Sequence, residues 1–265
     1  MSAVQIIVCI KQVPETTEIQ IDPNTGTLQR EGVEGVINPL DMYALEEGIR
    51  LKEKLGGRVA VLSMGPLQAE RSLREALALG CDEAYLLTDK VFAGADTLAT
   101  AYTLACGVRR MDCYDIILCG VKTTDGDTAQ VGPGLAEELN IPHVSYVRKI
   151  IGAKGDKLNV ERSVEDSYEE IEVPLPCLIT VTKEINVPRL PSFRTKMQAR
   201  KMPVTIWNAQ DLSHVEMKRF GLDGSPTRVI KVAPPPPRRK GEILVGDPKS
   251  QALTLIRRLK EKHML

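Results

Sequence analysis

The chain has 265 residues, 43% of them apolar and 26% charged, which is enough to bury a substantial core as one large domain or two smaller ones. Lys+Arg and Asp+Glu both number 35, so no global charge draws the chain to nucleic acid or an anionic membrane surface. Its longest apolar runs, such as VQIIVCI (Val4–Ile10), are far too short to span a bilayer, and the start carries neither the basic region nor the cleavage site of an export signal; the expectation is cytoplasmic.

Val4–Ile10 has the near-continuous apolar pattern of a strand buried on both faces. PNTG (Pro23–Gly26), between IQID and TLQR, predicts a tight turn in a small hairpin. Asn38-Pro39 supplies an N-cap and a first-turn proline for a helix in which Met42, Leu45 and Ile49 recur at helical spacing; it stops near Gly56-Gly57. Strand Val59–Met64 follows, then Gly65-Pro66 and a helix with Ala69, Leu73, Ala76 and Leu77 on one face, ended by Gly80. Strand Glu83–Leu87 precedes a helix that opens near Asp96 and carries Leu98, Ala101, Tyr102 and Ala105. Strand Ile116–Cys119 leads through TTDGDTAQVGP (123–133) into a helix over Val131–Leu139.

This β-α alternation predicts an α/β fold: a doubly wound, mostly parallel sheet with helices on both faces. Ligands of such sheets sit outside the carboxyl ends of the strands, where chain order reverses. Between Val144 and Val181, VSYVRKIIGAKGDKLNVERS reads as two strands joined by a Lys-Gly-Asp turn. YEEIEV and CLITVT read as two more, an added antiparallel or mixed region. Residues 1–185 thus form the expected nucleotide-binding α/β domain. Beyond Lys183 periodicity fades. Arg189 to Lys240 holds twelve Lys/Arg against three acids (Asp211, Glu216, Asp223) and includes PPPP (Pro234–Pro237), before an amphipathic helix over Ala252–Lys262. Such a basic, Pro-rich arm over 186–265 is expected to lie on another subunit.

Six cysteines (Cys9, Cys81, Cys106, Cys113, Cys119, Cys177) form no CxxC pair and have no histidine at ligand spacing, so no metal site is expected. The histidines are dispersed too, and no nucleophile–base pair marks a catalytic residue. The stretch after Cys119 admits three readings. As a calcium loop it lacks the spaced oxygen series and the terminal Glu. As a plain connector it needs no ligand. As a nucleotide cradle it offers backbone amides at Gly126 and at the helix start, with Thr124, Thr128 and Gln130 as side-chain donors beside a partly positive helix terminus. Asp125 and Asp127 would then have to face ribose or base, or cap backbone donors. Asn38 as an N-cap, Met64-Gly65-Pro66 as a turn and Cys9 as core have equally bland readings, yet all of these lie on one edge of one sheet.

Together these residues resemble the β subunit of electron-transfer flavoproteins. The likeness runs in order through VCIKQVPETTEIQID, INPLDMYALEEGIRLKEK, SMGP, DGDTAQVGPGLAE, VERSVEDSYEEIEVPLPCLITVT and VPRLPSFRTKMQARK, over nearly the whole chain. The resemblance implies a heterodimer with a flavin-carrying α subunit and a nucleotide in this chain's own sheet. In electron-bifurcating members that nucleotide is FAD, which receives hydride from NADH. In members that serve acyl-CoA dehydrogenases it is a structural AMP. DGDTAQVGP looks like the bifurcating form. By the same resemblance the nucleotide rests on Cys9, Asn38, Asp41, Met64, Gly120, Thr124, Asp125, Gly126, Asp127, Thr128, Gln130 and Val131.

The resemblance also makes VPRLPSFRTKMQARK the partner-recognition segment. Leu190 would be its apolar anchor and Arg194, Lys196 and Arg200 its steering charges, with Phe193 and Trp207 expected against the α subunit. Electrons would pass singly to a dehydrogenase or quinone-side acceptor and to ferredoxin or flavodoxin. Two other classes stay open. A stand-alone nucleotide-binding module of the universal-stress type would need neither arm nor partner. An ATP-using enzyme of amide or thiol formation would need a Gly-rich pyrophosphate loop where Lys11-Gln12-Val13-Pro14 stands.

Overall fold

The computed structural model describes residues 3–15, 35–111, 113–213, 215–230 and 241–265. The hairpin expected at Pro23–Gly26 and the proline run Pro234–Pro237 lie outside the described residues. Strand β1 (Val4–Ile10) is buried along nearly its whole length. A short antiparallel ribbon of β2 (Gln12–Pro14) and β3 (Gly35–Ile37) then delivers the chain to helix α1 (Pro39–Leu55). There follow β4 (Gly57–Met64), α2 (Glu70–Leu79), β5 (Glu83–Leu87), α3 (Thr97–Arg110), β6 (Ile116–Gly120) and α4 (Val131–Leu139). Next come β7 (His143–Lys154), β8 (Lys157–Val164), β9 (Ser167–Pro174) and β10 (Cys177–Val181), then α5 (Phe193–Ala199), β11 (Thr205–Trp207) and α6 (Pro248–Glu261).

These strands form one nine-stranded sheet in the order β11-β5-β4-β1-β6-β10-β7-β8-β9, parallel from β11 to β7 and antiparallel beyond it. From β1 the chain steps outward to β4 and β5, then returns to the other side of β1 as β6, so the order reverses at the β1/β6 boundary. That boundary is where an open α/β sheet leaves a crevice for a ligand. Helices α1 and α2 cover one face with Leu45, Ile49, Leu73 and Ala76. Helices α3 and α4 cover the other with Tyr102, Ala105 and Leu135.

Two particulars depart from the sequence reading. CLITVT does not join the antiparallel addition: β10 runs between β6 and β7, parallel to both. All five of its residues are buried, the unbroken apolar pattern that a strand covered on both faces requires. Leu98 has the right helical spacing but is 48% exposed, so the buried stripe of α3 begins at Ala99 and continues through Ala101, Tyr102 and Ala105. Asp96 does cap that helix, accepting from the amides of Leu98 and Ala99.

The tail after Lys183, which carries no clear periodicity, supplies the last strand. β11 adds in parallel to the edge beside β5. Trp207, half-buried, packs on its own chain on one side: its ring lies 4.7 Å from that of Tyr85, with the Arg110 guanidinium 5.0 Å above. Further on, Phe220 is buried against Phe92 and Tyr102. Helix α6 has no buried residue, and Leu253, Leu255 and Ile256 stand exposed. No helix among the described residues is long and apolar enough to cross a membrane.

Candidate functional site

One carboxylate bridges the carboxyl ends of the paired strands β1 and β6. Asp41, in the first turn of α1, is 4% exposed. Its Oδ2 accepts from the Lys11 amide just past β1 (2.8 Å), and its Oδ1 from the Gly120 amide at the end of β6 (3.1 Å). The approach is so close that a Cβ on Gly120 would stand 2.4 Å from Asp41 Oδ1, which is why the strand must end in glycine. Burial pushes the Asp41 carboxyl up to about 7, although its two amide partners favour the charged form. Its oxygens are thus engaged inside the protein.

Asn38 occupies the N-cap position of α1, but its side chain caps nothing. Pro39 has no amide to offer, and the fully buried Asn38 amide group turns instead to the loop after β6. Its Nδ2 donates to the Lys122 carbonyl (3.0 Å) and its Oδ1 accepts from the Thr124 amide (3.2 Å). One residue therefore staples the start of α1 to the loop that sequence singled out.

Within that loop the two aspartates are both paired. Lys11 Nζ lies 2.7 Å from Asp125, and Lys122 Nζ 2.7 Å from Asp127. Burial pushes the Asp125 carboxyl up, but the hydrogen bond and charge of Lys11 outweigh it and hold it below the ordinary carboxylate range. The carboxylates thus present no net negative wall to an anion. Asp127 and Ala129 adopt positive φ, 53° and 54°. Gln130 follows in the right-handed region (φ −105°, ψ −23°), and α4 opens with no side-chain cap. A left-handed residue followed by a right-handed one turns successive amides into a shared concavity, and an uncapped helix start adds its own orphan donors.

The position of that helix start is tightly determined: a Cβ on Gly132 would stand 2.4 Å from Thr180 Cγ2 on β10. Thr124, Asp125, Gly126, Asp127, Thr128 and Gln130 are all exposed at the rim, with Val131 half-buried behind them. Thr97 Oγ1, at the start of α3, meets Gln130 Oε1 at 3.2 Å. Cys9 and Cys119 face each other in register on β1 and β6, each 7% exposed, and Met64 lies half-buried at the end of β4. Its hydrogen bond to Cys9 and its burial push the Cys119 thiol well up, so it is a packed neutral group rather than a nucleophile. No cluster of three or more metal-ligating side chains occurs among the described residues.

A second group lies on the arm. Leu190 is 90% exposed, and Arg194, Lys196 and Arg200, on and at the end of the helix α5 that follows, are exposed too. Phe193 (82%) and Val187 (79%) extend the same apolar protrusion; Val187 was missed because an isolated valine in an aperiodic stretch carries no signal. Lys11 and Lys122 were missed as members of the rim. Lys11 meets a partner 114 positions away, which no local pattern records.

A family model described as "Electron transfer flavoprotein domain" matches residues 25–212. The chain is 54% identical to the electron transfer flavoprotein subunit beta of Thermoanaerobacterium thermosaccharolyticum, over 98% of this chain and 99% of that one. It is 47% identical to the caffeyl-CoA reductase-Etf complex subunit CarD of Acetobacterium woodii, over 98% and 100% respectively. To protein FixA of Azorhizobium caulinodans it is 44% identical, over 91% and 88%.

Proposed function

The chain belongs to the electron transfer flavoprotein family, among its β subunits, and we propose that it holds FAD at the carboxyl rim of its own sheet and acts by electron bifurcation. Bound there, FAD would take two electrons from NADH and release them singly, one through the α-subunit flavin to a dehydrogenase or quinone-side acceptor and one to ferredoxin or flavodoxin. The observation that carries the reading is the amide concavity at Ala129–Val131, set at the β1/β6 switch point beside aspartates whose charges Lys11 and Lys122 oppose.

The residues present fit such a group. The amides suit a pyrophosphate or phosphate; Thr124, Thr128 and Gln130 offer polar contacts; Cys9 and Met64 form an apolar floor. The chain's own part is to bind and orient, and Asp41 secures the rim without entering the chemistry. The bifurcating assignment draws on the form DGDTAQVGP and on likeness to a subunit named for a complex with a reductase of a CoA ester. The same amides would take the phosphate of AMP, so cofactor content decides. Two FAD per purified cytoplasmic αβ heterodimer are expected. One flavin with AMP would replace bifurcation by simple electron shuttling from acyl-CoA dehydrogenases, and no nucleotide on this chain would end both.

Within the arm over 186–265, the exposed stretch around Leu190 and helix α6 are the parts that would lie on the α subunit and the redox partner, with Leu190 as anchor and Arg194, Lys196 and Arg200 steering the encounter. Leu190→Ala is expected to slow electron exchange with an acyl-CoA dehydrogenase about tenfold, the scale of a central apolar contact, while flavin content stays intact. Stopped-flow traces indistinguishable from wild type would remove the anchor role.

A further inference from the structure

The protrusion that carries Leu190 is tied down at its base by a buried acid. Glu46, in the middle of α1, has a side chain only 3% exposed. Its oxygens accept from Arg50 Nε (2.5 Å), the Arg189 backbone amide (3.1 Å), Arg189 Nε (2.8 Å) and Arg189 Nη2 (3.3 Å). The Arg189 guanidinium also reaches Glu53, two turns along the same helix, from Nη1 (2.6 Å) and Nη2 (3.0 Å). Neighbouring positions are tethered too. Asn186 Nδ2 donates to the Tyr43 carbonyl (3.0 Å) and Glu47 Oε2 (2.9 Å), and Arg50 Nη2 donates to the Val187 carbonyl (3.2 Å). Residues 186, 187 and 189 are therefore fastened to α1, and the very next side chain, Leu190, stands free.

An exposed ion pair contributes little, because solvent screens it and ordering two long side chains costs entropy. A carboxylate that is almost fully enclosed and met by a planar fork plus a backbone amide is different: removing its charge leaves Arg189 with Glu53, at the edge of the cluster, as its carboxylate partner and loosens the main chain that Glu46 held. A loop so restrained meets a partner with its ordering cost already met. We propose that Glu46 is a positioning residue for docking, which fixes the direction of Leu190 and Phe193 through Arg189. The inference rests on the docking role of Leu190 given above. Since α1 also carries Asp41, one helix holds both the rim and the protrusion.

The test uses the complete αβ heterodimer with its flavin and an acyl-CoA dehydrogenase as the partner probe. Glu46→Gln keeps the shape and removes the charge. Exchange of the amides of 187–193 should speed about tenfold or more, and the KM for the dehydrogenase should rise about fivefold, while kcat and flavin content stay within about twofold. Leu190→Ala should raise that KM without changing exchange. A Glu46→Gln complex with wild-type exchange overturns the proposal, as does one with a loosened loop and an unchanged KM. If Leu190→Ala leaves KM unchanged, the docking reading itself fails and the clamp's role with it, so the two failures are told apart. Should Glu46→Gln not assemble, Arg189→Lys, which keeps the charge but loses the fork, carries the same expectations.

Discussion

Asp41→Asn is expected to destabilise the protein in mild acid and to become the more stable form above neutrality. An asparagine can accept from only one of the two amides that Asp41 now satisfies, so either Lys11 or Gly120 keeps a buried, unpaired N–H, at about 1–3 kcal/mol. The pH dependence comes from the native carboxyl, raised by burial from 3.8 to about 7. A group whose pKa is higher in the folded state contributes stability that is full below its unfolded value and is lost as pH rises through the folded one. The window therefore runs from about 4 to about 7, and the roughly 4 kcal/mol that wild type loses across it exceeds the penalty of the substitution, so the gap should close and reverse, leaving Asp41→Asn the more stable above neutrality. Urea midpoints at both ends of that window measure it. A gap of constant size would mean that the carboxylate is ionised throughout, as its place at the start of α1 and its two amide donors favour.

Gly132→Ala is expected to strip the nucleotide from the rim. The added methyl would sit 2.4 Å from Thr180 Cγ2. Thr180 cannot easily turn aside: it is 1% exposed, and its Oγ1 accepts from the Tyr146 amide at 3.2 Å. The first turn of α4 must therefore back away from β10, carrying the amides of 129–131 with it. Overpacking of this kind costs about 1–3 kcal/mol of stability. Loss of even one well-aimed phosphate contact lowers affinity about tenfold, or about 1.4 kcal/mol. Nucleotide released on denaturing the purified complex gives the readout, with Gly152→Ala on β7 as control, since a Cβ there meets nothing within 4 Å. If Gly132→Ala keeps its nucleotide and its melting temperature, the contact with β10 does not define the cradle.

Much of this protein was legible from the chain alone, and for a physical reason. Glu83–Leu87 and Val131–Leu139 were bounded to the residue because strand and helix patterns, glycine stops and caps act between near neighbours. The β-α alternation, being a succession of such local signals, also located the rim at the ends of β1, β4 and β6, and the order of the motifs carried the family.

What the tertiary structure alone decided are meetings between distant positions. CLITVT became a central strand because the crossover places β10 between β6 and β7, and an isolated five-residue run cannot declare its neighbours. The aspartates of the loop looked hostile to a phosphate until the fold brought Lys11 to Asp125 across 114 positions. Asn38 read as a cap, yet its side chain serves a loop 84 and 86 residues away. Glu46 and Arg189, 143 positions apart, showed no pattern at all. Periodicity records which face of an element is buried; which charges share that burial depends on how the chain crosses itself.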